Sequence, residues 1–344
     1  MNGIINRITA KLTLRQPPAR MTAAVAELAL EQGRISRLQV AEILWSDPMS
    51  AANILKRANE SYYGMRGSVG SLLHAIEVLG PESCLKMLST GSEYSFESPA
   101  TDAVIRHARA TGHISHRLAT GTWMAFNNSA SRPGFVATTG LLHSIGRLAL
   151  CASFPAETES LYGFSELSFP VSGSRTELEQ LQFGIDYAEI GEFISRKLNL
   201  PSEITEAVRG HLSPSHIAKD SPARKLSAIV AAATYIADKT GYGMEPQVSI
   251  PFEAMDESLN IFRKEAALQD GEVARVCEEL HDMNLNTPNL GFEVSEGAVS
   301  RGAVSKPAAD RAPSPSQPVN SRTGAPRNSG INRTAQVPAK QSKS

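Results

Sequence analysis

The stretch from Gly140 to Leu150, GLLHSIGRLAL, constrains the fold more than any other, because it sets one imidazole among glycines in an otherwise apolar helix. At about 3.6 residues per turn, Thr139, Gly140, Gly146, Arg147 and Leu150 share the face of His143, while Leu141, Ile145 and Leu148 take another. Gly140 and Gly146 carry no side chain, so a second backbone can approach His143 closely. A binuclear metal site needs a carboxylate beside such a histidine, since a His-Asp pair places a nitrogen and a bridging oxygen on adjacent ions. Ser144 occupies that position.

The remaining chain reads as helices punctuated by caps. Residues 1–19 form a lead-in closing at Pro17 and Pro18, after which Met21, Val25 and Leu28 repeat at helical spacing towards Gly33. Ser36 caps a second helix through Val40, Ile43 and Leu44. Asp47 and Pro48, as N-cap and first helical residue, start a third that runs to about Asn59. Ser71 opens a fourth, and Gly80-Pro81 stops it and starts a fifth. Ser98-Pro99 begins a longer helix with His107, Thr111, Ile114 and Leu118 on one stripe, so His107 points inward. His113 and His116 lie elsewhere on it and are expected to be solvated. Pro133 and Gly134 precede the His143 helix, which runs to about Cys151, and a Gly- and Ser-containing stretch covers 153–173. Ser174 with Glu177, and Asp186 with Glu189, mark two further helix starts. Pro201 precedes Ile204 to His211, and Pro222 opens LSAIVAAATYIAD, a helix to be buried, before a turn at Gly241 to Gly243. A last amphipathic helix holds Val273, Val276, Cys277 and Leu280. No segment alternates with period two at length, so the fold class is all-α.

Charge divides the chain. Residues 301–344 carry eight Lys or Arg against Asp310 alone, a charge of +7, which leaves −8 on the rest of a chain of net charge −1. That Pro- and Ser-rich end has no apolar face to offset the entropy of ordering, and residues 291–344 are expected to be a disordered basic tail. The acidic body argues against nucleic acid as a partner. Cys84, Cys151 and Cys277 are odd in number and far apart, which fits reduced cytosolic thiols. No stretch reads as a signal peptide or a membrane span, so a cytoplasmic protein without membrane insertion is expected.

Several stretches together resemble the HDOD domains of bacterial signalling proteins, helical relatives of the HD phosphohydrolases. They are Ser46-Asp47-Pro48 followed by ILKRANESYYG; SLLHAIEVLG; LLHSIGRLAL; EIGEFISRKLNLP with HLSP behind it; and LSAIVAAATYIAD. The motif positions are Asp47, Pro48, Asn59, Gly80, His143, Gly146, Pro201 and His211. The resemblance implies a compact multi-helix bundle over 20–240, and the residues 241–290 are expected to form a helical extension packed on it.

An active HD phosphohydrolase holds metal with a histidine, a His-Asp pair and a late aspartate. By the resemblance His107 matches the first histidine and His143 the second, while Ser144 and Thr234 stand where the carboxylates belong. The expectation is therefore vestigial histidines, no metal, no cofactor, no catalytic residue and no enzymatic activity. The function implied is a regulatory module acting through a protein partner, with input from a separate protein. The alternatives are a divergent phosphohydrolase using His107, His143 and Asp238, or a nucleotide-sensing module. No Gly-rich phosphate loop, nucleophile elbow or paired-Cys zinc motif offers other chemistry.

Overall fold

Several helices begin where a side chain satisfies the orphan amides of the first turn, and others where a proline needs no partner for its missing amide. The computed structural model describes residues 2–13, 20–31, 33, 35–60, 67–89, 98–122, 132–163 and 174–244, and among them there is no strand. The helices are α1 Asn2–Thr13, α2 Arg20–Glu31, α3 Arg37–Trp45, α4 Pro48–Ala58, α5 Leu72–Leu79, α6 Pro81–Ser89 and α7 Pro99–Thr122. They continue with α8 Pro133–Leu142, α9 Ile145–Ser153, α10 Pro155–Leu161, α11 Arg175–Phe183, α12 Tyr187–Lys197, α13 Ser202–Gly210 and α14 Pro222–Ala237. The all-α expectation holds. The extension at 241–290 lies almost wholly, and the tail at 291–344 entirely, outside the described residues.

The caps do what the sequence asks of them. Ser36 and Ser174 form reciprocal capping boxes with Gln39 and Glu177. Asp47 Oδ1 accepts from the amides of Met49 and Ser50, and its Oδ2 takes the Ser50 hydroxyl at 2.6 Å. Asn59 ends α4 as a staple. Its Nδ2 donates to the carbonyls of Leu55 and Val69, and its Oδ1 accepts from the amides of Ser68 and Val69, tying the end of α4 to the approach to α5. Gly80 turns the corner into α6 with φ +85°, a left-handed value that a side chain would strain.

The core is built on α7, which packs against both α8 and α14, while α9 packs against α12 and α12 against α13. Two close approaches set this geometry. A Cβ on Gly146 would stand 2.0 Å from the Tyr187 carbonyl oxygen, and one on Gly140 would stand 2.9 Å from the Gly112 Cα. Backbone therefore approaches both glycines, and α9 lies directly on the start of α12.

Four expectations are corrected. Residues 1–19 are more than a lead-in, because α1 docks on α9, burying Ile8 completely and laying Arg7 over the Phe154 ring at 4.3 Å. The stretch 153–173 contains α10, whose start Pro155 supplies. The helix expected through Gly140–Leu150 is broken at His143–Ser144, where Ser144 takes φ −91° and ψ 10°. The His143 ring explains the break: its Nδ1 sits 2.6 Å from the Gly140 carbonyl and competes for the acceptor that a continuing helix would offer. The run Pro133–Ser153 also has the length and hydropathy to cross a membrane, beyond what the sequence reading allowed, and 94% of its apolar window is buried inside the fold.

Candidate functional site: a buried histidine cluster

Three imidazoles meet where α7, the α8–α9 break and the end of α13 converge. His107 and His143 are fully buried and His211 is 3% exposed. The His107 and His143 ring centroids lie 5.1 Å apart, and those of His143 and His211 lie 5.2 Å apart, both pairs edge to face. Each ring turns Nδ1 to a backbone carbonyl: His107 to Tyr242 at 2.9 Å, His143 to Gly140 at 2.6 Å, and His211 to Val208 at 2.8 Å. A carbonyl oxygen only accepts, so each Nδ1 carries the proton and each Nε2 of a neutral ring is bare.

The bare nitrogens do not fare alike. His211 Nε2 accepts from the Tyr187 hydroxyl at 2.7 Å, and His143 Nε2 accepts from the Ser144 hydroxyl at 2.8 Å. His107 Nε2 faces His143 Nε2 at 3.2 Å, a hydrogen-bond distance with no proton between two neutral rings. Burial and the Arg147 charge push the His107 pKa down to about 3. Burial, with His107 and His211 beside it, holds His143 well below its usual value, and burial brings His211 to about 4. The cluster is neutral at pH 7.

Next to it lies a buried ion pair. Arg147, 2% exposed, donates from Nε to Glu179 Oε1 at 2.8 Å and stacks over the Tyr187 ring at 4.0 Å. Glu179 also accepts from the Tyr162 hydroxyl at 3.1 Å and the Tyr187 amide at 3.0 Å. Burial raises the Glu179 carboxyl above its ordinary range, while Arg147 and the other donors pull the opposite way. Three donors converging on two oxygens favour the ionised form. None of Glu179, Tyr162 or Tyr187 was singled out from sequence. The available signal was Arg147 on the His143 face of an apolar helix, since a buried guanidinium requires a carboxylate.

The residues at the carboxylate positions are neutral. Ser144 is spent on His143, and Thr234 Oγ1 is buried with no hydrogen-bond partner among the described residues. Asp238 Oδ1 accepts from the Met244 amide at 3.2 Å. No group of three or more His, Cys, Asp or Glu among the described residues could hold a metal ion. A binuclear hydrolytic centre of the kind the resemblance marks uses carboxylate oxygens to bridge its ions, and the neutral Ser144 and Thr234 do not supply them. His113 and His116 are corrected: His113 is buried and His116 partly so, its pKa brought down to about 4 chiefly by burial. Asp47, Pro48, Asn59, Gly80 and Pro201 take capping and corner positions in the scaffold.

The fold and its paired inward imidazoles define an HD-like all-α bundle. The HDOD domain model matches residues 16–214, more than half of the chain, and the chain belongs to that family. It is 21% identical over 191 residues to an uncharacterised protein of Treponema pallidum (strain Nichols), a match covering 55% of this chain and only 36% of that protein's length. Among solved structures it is similar to the MmoQ response regulator of Methylococcus capsulatus, with 20% identity and a TM-score of 0.55, covering 76% of this chain and 97% of that one. It is also similar to a virulence factor of Campylobacter jejuni, with 15% identity and a TM-score of 0.59, covering 83% and 95%. At these identities the likeness is one of fold.

Proposed function

We propose that this chain is a non-catalytic signalling module that works by binding a protein partner through its HDOD domain. The observation that carries the reading is the state of the cluster. His107 and His143 have their Nδ1 protons committed to backbone carbonyls, and the two positions that the family resemblance marks for carboxylates hold Ser144 and Thr234. A response regulator among the structural relatives is consistent with a regulatory role. The charge division of the sequence, an acidic body with a basic end, favours a protein partner over nucleic acid.

The test joins two measurements on the purified full-length protein. Metal analysis and a phosphodiester hydrolysis assay with added Mn²⁺ or Fe²⁺ should find neither stoichiometric metal nor turnover. Affinity capture should return one saturable protein partner that survives deletion of residues 301–344. Stoichiometric metal that disappears in His143→Ala, together with hydrolysis, would overturn the reading in favour of a phosphohydrolase.

A further inference from the structure

The chain folds back over the histidine cluster immediately after α14. Asp238–Tyr242 forms a single π-turn in which Gly241 is left-handed at φ +87°. Gly243 then passes so close to Asp238 that an added Cβ would stand 2.3 Å from Oδ1. A π-turn with a left-handed glycine is a usual way for a helix to end, and here it turns the chain back. Polar anchors hold the segment, among them these three. Tyr242 O accepts from His107 Nδ1 at 2.9 Å, the Met244 amide donates to Asp238 Oδ1 at 3.2 Å, and Arg175 Nε donates to Met244 O. Met244 itself is buried in a small cluster with Val104, Leu148 and Tyr162, separate from the main core.

One of these anchors is opposed from within. Holding the Tyr242 carbonyl fixes the proton of His107 on Nδ1, and that leaves its bare Nε2 3.2 Å from the Nε2 of His143, whose lone pair accepts from the Ser144 hydroxyl. Were His107 to lose its Nδ1 proton to solvent and take one up at Nε2, its charge would not change. With the Ser144 hydroxyl turned away from His143 Nε2, the 3.2 Å contact would become an N–H···N bond, and the Tyr242 carbonyl would lose its donor. The two bonds exclude each other in a neutral ring. His143 cannot make the same exchange as easily, because its Nδ1 faces Gly140 O within its own helix at 2.6 Å and its Nε2 takes the Ser144 hydroxyl.

We propose that residues 238–244 are a gating strap on the histidine cluster, held shut through His107 Nδ1 and opposed by the facing Nε2 atoms of His107 and His143. Strap position and His107 tautomer form one two-state equilibrium. Closed, His107 donates to Tyr242 and Ser144 to His143 Nε2; open, His107 takes the place of Ser144 on that nitrogen, and the cluster is reached from the side on which the Tyr242 carbonyl is released. Neither state alters the charge of the rings, so the balance responds to whatever engages the strap and not directly to acid.

The experiment follows the full-length protein by native-state hydrogen exchange and by diethylpyrocarbonate, which acylates accessible imidazole. In the wild type, His107 should be acylated at the rate at which the Met244 amide exchanges, at least about tenfold faster than the α7 core amides around Ile114. Acylation of His107 only as slowly as those core amides exchange would overturn the strap. Asp238→Asn, which weakens one anchor, should accelerate His107 acylation and leave the exposed His216 unchanged.

His143→Gln separates this proposal from a purely structural role. A glutamine amide can donate to His107 Nε2, so it should slow strap exchange and His107 acylation, whereas a general loosening of the core would hasten both. Imidazole ¹⁵N shifts of the wild type provide a check that needs no variant: His107 should report the Nδ1–H tautomer in the folded protein, and an Nε2–H signal would refute the closed state. None of these readouts involves metal or turnover, so their failure is distinct from failure of the signalling reading.

Discussion

The histidine cluster and the Arg147–Glu179 pair adjoin in one core, with Tyr187 touching both, yet they solve the cost of burying polar atoms in opposite ways. The ion pair is charged and saturated. Glu179 accepts from α9, from the residue ending α10 and from the first residue of α12, so one carboxylate ties three elements together. The cluster is neutral and leans on backbone carbonyls, and at its centre two acceptors face each other. A saturated ionic group is rigid because removing any partner strands a charge. A neutral group with competing partners can rearrange at little cost. The molecule thus sets a fixed point beside an adjustable one.

The largest effect is expected at the fixed point. Glu179→Ala strands the Arg147 guanidinium in the core and should cost about 3–5 kcal/mol in urea unfolding, enough to threaten folding outright. A cost below about 1 kcal/mol would mean that the pair is not the anchor described.

Acid should act next, and chiefly on the cluster. The folded pKa values of His107 and His211, about 3 and about 4, lie below the ordinary value near 6.5, so the unfolded chain binds protons that the folded chain refuses. The stability owed to neutral rings is complete above roughly pH 6.5 and is lost as pH falls towards 4, on the order of a few kcal/mol. Urea midpoints measured from pH 7.5 to 4.5 should therefore fall, and a rise over that range would contradict the neutral assignment.

Gly146→Ala tests the contact between the two regions. Its Cβ meets the Tyr187 carbonyl, so α9 and α12 must part, at a cost of about 1–3 kcal/mol. Crystal or NMR data should show Tyr187 displaced from both His211 and Arg147. His211→Phe, which keeps the ring volume but leaves the Tyr187 hydroxyl without its acceptor, should cost about 1–2 kcal/mol. The Glu179 contacts should be undisturbed in that variant, and their loss would show that the two regions form one unit.

Most helix starts were legible because their chemistry is local. Ser36, Asp47, Ser71, Ser174 and Asp186 each bond an amide within three residues, so a short window of sequence holds the whole interaction. The break at His143–Ser144 was not legible, since periodicity cannot show that a ring will turn back onto the Gly140 carbonyl. Nor was the ion pair, whose partners are 32 residues apart and meet only after α9, α10, α11 and α12 pack. His113 was misread because a polar residue off the main stripe of a helix looks solvated unless the helix is covered on several sides, as α7 is by α8, α9, α10 and α14. The inward histidines were easier to read, because a lone imidazole on an apolar face has no other place to go.

Helix α1 carries a consequence in time. It leaves the ribosome well ahead of its seat on α9 and Phe154, which is made about 150 residues later, a wait of about 7–30 s at roughly 5–20 residues per second. During that wait Ile4, Ile5 and Ile8 must stay solvated or be sheltered by a chaperone, and α1 cannot dock until α9 is made.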